Sequence, residues 1–153
     1  MKKKVILDDG IIELDINGRG LLRFNPTDFN VYKRFLSLVE ALPGLEKKYH
    51  TEIEAANTEQ TEWEMAASTL NKAKEMDAEI KSRLSAVFGV CDFDVLLDGI
   101  NLMAYGTNGE RVITNLLNAL TPYMENGLKA HMKNTASQAV DDARKNREAR
   151  EKQ

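Results

Sequence analysis

Residues 85–120, SAVFGVCDFDVLLDGINLMAYGTNGERVITNLLNAL, gather Val87, Phe88, Val90, Phe93, Val95, Leu96, Leu97, Ile100, Leu102, Met103, Val112, Ile113, Leu116, Leu117 and Leu120 with few charges. Most of the buried apolar area is expected here, with the remaining elements packed around it. Gly89 is placed to end a helix, and Asp92 is a good N-cap for a short one reaching Leu97. Gly99 ends that helix, and Gly106-Thr107-Asn108-Gly109 reads as a loop. From about residue 109 to 124 Val112, Ile113, Leu116, Leu117, Leu120, Tyr123 and Met124 form a wide apolar stripe. Pro122 removes one backbone hydrogen bond and predicts a kink near Asn118 or a new start. Leu128, Ala130 and Met132 extend the helix to about residue 132. Residues 135–153 hold few large apolar side chains and predict a charged, frayed tail.

Upstream, Trp63, Ala66, Leu70, Ala73, Ile80, Leu84 and Val87 recur at helical spacing, and Asp77 is the one polar break. Asp77 with Lys81 and Glu79 with Arg83 stand at the favourable acid-first i,i+4 spacing. Phe29, Tyr32, Phe35, Leu36, Val39 and Leu42 give a first helix over about 28–42, capped by Thr27 or Asp28. Pro43-Gly44 interrupts that pattern, and a second helix is expected near Leu45, with Tyr49 and Ile53 on its apolar side. Residues 45–88 then make either a helical hairpin arm or one long rod. Residues 2–7 and 11–16 lean toward strand, with Asp8-Asp9-Gly10 as the turn between them. Residues 21–24 are a candidate third strand, closed by Asn25-Pro26. The expected fold is mainly α with a small N-terminal β-hairpin, an α+β helical bundle with a long arm. One domain over 1–134 and the tail complete it.

The 153 residues carry 21 basic and 24 acidic side chains, a net charge of −3. A chain of this length buries a core without disulfides or metal. The balance gives no general attraction to a polyanion, so nucleic acid is not an expected partner. No run approaches the roughly 20 apolar residues of a membrane span. The single cysteine, Cys91, has no intrachain partner and apolar neighbours, which points to a reducing compartment, the cytoplasm.

No spacing of a catalytic, cofactor or metal site is present, and none is expected to be used. Asp92 and Asp94 have the first spacing of a calcium loop, but Gly99 is not at its sixth position and no Glu stands at its twelfth. Capping and solvation account for them. His50 and His131 lack nearby Cys or paired carboxylates. Cys91 precedes a helix N-terminus that could lower a thiol pKa, yet a buried small hydrophobe is the simpler reading. The glycine loops lack the phosphate-loop and dinucleotide endings. Arg144, Lys145, Arg147, Arg150 and Lys152 alternate with acids in the tail, which weakens any attraction to phosphate.

Amphipathic helices without a chemical site leave protein binding as the expected function, through a segment of a partner held along a groove. Tyr49, Trp63, Met65, Leu70 and Met76 on the arm are the candidate contacts, with Met124, Leu128 and Met132 on the last helix. The layout around residues 12–24, 29–42, the Ala86-Val87-Phe88-Gly89 element and residues 98–120 resembles small proteins of phage and prophage tail modules of Gram-positive bacteria, of the tail assembly chaperone type. Residues 55–65 fit that pattern least. The resemblance implies a non-enzymatic protein of the bacterial host cytoplasm, often a homo-oligomer, that binds the hydrophobic tape measure protein or another tail protein. A small phage inhibitor or adaptor acting on a host protein is the alternative. A DNA-binding prophage regulator is a further one, although no predicted helix carries a basic recognition face.

Overall fold

The structure, a computed structural model, describes residues 1–56, 61–89 and 91–151. In chain order it contains β1 (Ile12–Asp15), β2 (Leu21–Phe24), α1 (Phe29–Ala56), α2 (Glu62–Phe88), the single turn α3 (Phe93–Leu96) and α4 (Val112–Glu151). The fold is mainly helical with a two-stranded antiparallel hairpin at its N-terminal end and a long C-terminal helix, in the class that the sequence predicts.

The hairpin forms one turn later than Asp8-Asp9-Gly10. Asn17 and Gly18 both take positive φ, 53° and 72°, the geometry whose twist matches two antiparallel strands. Asp15 Oδ1 accepts from the Gly18 N–H at 2.7 Å, and β1 pairs with β2 from Ile12↔Phe24 to Asp15↔Leu21. Leu22 and Phe24 point into the core while Leu21 and Arg23 face out. Residues 2–7, expected as a strand, carry no strand pairing. Asp8 and Asp9 instead accept from the N–H groups of Gly10 and Ile11, and Asn25 Nδ2 donates to the Asp9 carbonyl at 2.8 Å. The Asp-Gly turn is therefore spent on docking the chain beside the end of β2.

A second difference lies at Pro43. The sequence predicts an end near Leu42 and a restart at Leu45, but α1 runs unbroken for 28 residues through Pro43. Val31, Phe35, Leu38, Leu45 and Tyr49 are buried on one stripe that crosses the proline, while Pro43 and Gly44 lie on the exposed side. Burial along that continuous stripe outweighs one lost backbone hydrogen bond. Its partner is α2, which presents Met76, Ile80, Leu84 and Val87. Contacts between Arg34 and Val87, Tyr49 and Glu79, and Glu52 and Lys72 show the two helices antiparallel, so the arm is a helical hairpin. Residues 57–60, between the two helices, lie outside the described residues. Thr61 starts α2 with a capping box, its hydroxyl accepting from Glu64 N–H and the Glu64 carboxylate accepting from Thr61 N–H.

Phe88 is the centre of an aromatic cluster, with ring centroids 5.0 Å from Phe24, 5.9 Å from Phe93 and 6.4 Å from Phe35. The 85–120 stretch adds Leu96, Leu97, Leu102, Ile113, Leu116 and Leu120 to this core, whereas Val95 and Ile100 are exposed. Val90 lies outside the described residues. Asp92 caps α3 as expected, accepting from Asp94 and Val95 N–H groups. Leu102 is fully buried, and its N–H donates to Asp77 Oδ1 at 2.7 Å, which explains the polar break in the α2 stripe.

The last helix passes Pro122 without ending and runs for 40 residues, about 60 Å, so the charged residues after 134 form a solvated helical extension. Ile113, Leu116, Leu120, Met124 and Gly127 bury its first half. His131 Nδ1 lies 2.8 Å from the Thr27 carbonyl and its ring stacks 3.8 Å from Phe29. Beyond His131 every described residue of α4 is exposed.

Candidate functional site

The candidate contacts separate into two groups. Tyr49, Met76 and Met124 are core residues, because the helical hairpin and the first half of α4 close over them. Met65 and Leu128 are half-buried. Trp63, Leu70 and Met132 face solvent, with Trp63 82% and Leu70 71% exposed. Trp63 and Leu70 are seven residues apart on α2 and therefore share one face, with exposed Ala66 and Ala67 between them. This apolar strip lies at the start of α2, at the end of the hairpin remote from the Phe88 cluster.

Polar pairs fix the two helices in the turns that follow that strip. Tyr49 donates to Glu79 Oε2 at 2.5 Å, and Glu79 also meets Arg83 at 3.3 Å and Lys48 at 4.0 Å. The bond to Glu79 and the burial of the ring push the Tyr49 hydroxyl up to about 12. The same bond holds the Glu79 carboxyl below its ordinary range. Nearer the tip, Lys72 bridges Glu75 at 3.2 Å and Glu52 of α1 at 3.3 Å. With α1 and α2 tied together on this side, Trp63 and Leu70 are left on the opposite surface.

A second feature escaped the sequence reading. Asn30, Lys33, Arg34, Ser37 and Leu38 of α1 with Arg83, Ala86 and Val87 of α2 line a groove of about 430 Å³. Its floor is apolar and its rim cationic. Arg34 is held there by its bond to the Val87 carbonyl at 3.1 Å. In sequence Lys33, Arg34 and Arg83 belong to polar helix faces, and only the antiparallel pairing of α1 with α2 brings them together.

Of the aspartates weighed for chemistry, Asp92 caps α3 and Asp94 contacts Lys81 at 2.8 Å. Cys91 is half-buried, and burial followed by the neighbouring Asp92 charge pushes its thiol up, away from a reactive thiolate. Among the described residues no three His, Cys, Asp or Glu side chains gather in a metal-binding group. No described helix is long and apolar enough to cross a membrane. In comparison with known proteins, no family model matches the chain, no curated protein matches it and no solved structure matches it.

Proposed function

We propose that this protein binds a helical or partly unfolded apolar segment of another protein, through the outer face at the start of α2, and so acts as a non-enzymatic assembly chaperone. The observation that carries this reading is the exposure of Trp63 and Leu70 on one face of a helix that Lys72, just past Leu70, ties to Glu52 of α1. Large side chains in that setting present apolar area without needing to reorganise, which is the property of an interface anchor. Met132, 60% exposed on α4, offers a further adaptable contact. The sequence resemblance to tail assembly chaperones makes a phage tape measure protein the proposed partner.

Co-expression with a tape measure protein tests the reading. The expected result is that the tape measure protein becomes soluble and co-purifies with the wild-type chain but not with a Trp63→Ala, Leu70→Ala double variant. Equal recovery with both chains would remove the strip from the account. Recovery of a host protein in place of the tape measure protein would favour a host-directed adaptor.

A further inference from the structure

We propose that residues 2–7 of one copy add as an edge strand to β1 in a second copy of this chain. Val5, Ile6 and Leu7 are 86%, 87% and 78% exposed, a run of three β-prone aliphatic residues with no strand pairing. β1 is the complementary surface. Among the described residues it pairs only with β2, so its other edge presents unpaired backbone N–H and C=O groups. Its inward residues Ile12 and Leu14 pack against the core yet remain only partly buried.

The two segments also match in charge and period. Residues 2–4 are lysines, and β1 carries Glu13 and Asp15 on its outward side. In an antiparallel register with Leu7 beside Ile12, Val5 falls beside Leu14 and Lys4 beside Asp15. Val5 and Leu7 then extend the core-facing row, Ile6 lies beside Glu13 on the outward side, and Lys4 gains an acidic cross-strand neighbour.

A chain cannot easily satisfy its own edge in this way. The Asn25 side chain binds the Asp9 carbonyl at 2.8 Å, and Asn25 follows Phe24, the β2 residue opposite Ile12. That bond holds residues 8–10 on the β2 side of β1, away from the free edge. Gly10 takes φ 70°, a conformation that favours glycine, beside the Asn25 side chain. Each copy thus has a strand to give and an edge to fill, the self-complementary condition for a symmetric assembly. The inference is independent of what the Trp63 strip binds.

Light scattering after size exclusion, over a concentration series of the full chain, provides the test. The wild type is expected to have the mass of at least two chains of 17.2 kDa. A Val5→Asp, Leu7→Asp variant is expected to fall to one chain with unchanged circular dichroism, since both positions are exposed in the single copy. Mixing an Ile6→Cys chain with a Glu13→Cys chain, both in a Cys91→Ser background, should yield a disulfide between the two variants. A wild-type mass of one chain throughout would overturn the proposal and leave pairing within the chain as the alternative. Retention of the assembly by the double aspartate variant, or absence of the mixed disulfide, would also overturn it.

Discussion

Gly127, in the buried half of α4, faces the Pro26 carbonyl so closely that a Cβ added to it would stand 1.9 Å from the Pro26 oxygen. That approach seats the long helix against the corner between β2 and α1. A glycine in a helix interior sacrifices about 1 kcal/mol of propensity relative to alanine. Here the close backbone approach requires it. Gly127→Ala is expected to destabilise the chain by about 2 kcal/mol despite the better helix former, because neither backbone can yield without unseating Met124 and His131. Urea unfolding measures the change, and a stabilised variant would contradict the contact.

Lys81 is the one buried charged residue of the described core, its side chain 8% exposed and 2.8 Å from both Asp77 and Asp94. Burial opposes its charge, but hydrogen bonds to the two carboxylates more than offset this and hold the ammonium above its ordinary range. Lys81→Ala leaves Asp77 nearly buried without its counter-ion and is expected to cost about 3 kcal/mol. Lys81→Met combined with Asp77→Asn should recover most of that loss, since asparagine still accepts from Leu102 N–H. Denaturant unfolding of the two variants separates an uncompensated charge from lost packing.

The bond between Tyr49 and Glu79 predicts an alkaline limit. The tyrosine proton is held more tightly in the folded chain, so its stabilising contribution is complete below the unfolded pKa of about 10. That contribution is lost as pH rises through the folded value of about 12. For Glu79, whose carboxyl is held low, the contribution is present above the ordinary carboxylate range and lost as pH falls. Melting curves of wild type and Tyr49→Phe should therefore converge as pH rises through this alkaline window. A constant separation across it would show that the hydroxyl does not carry the effect.

The parts of the fold legible in sequence are those fixed by local period or local capping. The Ile80, Leu84 and Val87 part of the α2 stripe, the Gly89 stop and the Asp92 cap all depend on neighbours within a turn or two. Pro43 misled because local helix chemistry argues for a break there, whereas the stripe from Val31 to Tyr49 is settled by α2, distant in sequence. Asp9-Gly10 reads as the hairpin turn, but Asn25 engages Asp9 and the turn forms at Asn17-Gly18. The candidate contacts divide for the same reason. Tyr49 and Met76 lie between α1 and α2, while Trp63 and Leu70 occupy a face that no described helix covers, and one-dimensional periodicity does not distinguish those positions. The Lys33, Arg34 and Arg83 rim exists only once the hairpin has formed.

Trp63 is the only tryptophan, so its fluorescence reports the proposed binding face directly. Its emission can be followed while apolar helical fragments of a tape measure protein are titrated into the full chain. The expected result is a saturable blue shift, as the largely exposed indole leaves water, that is weakened at least tenfold in concentration by Leu70→Ala. Fragments that bind, as measured by calorimetry, while Trp63 emission stays unchanged would contradict the assignment of this face to partner binding.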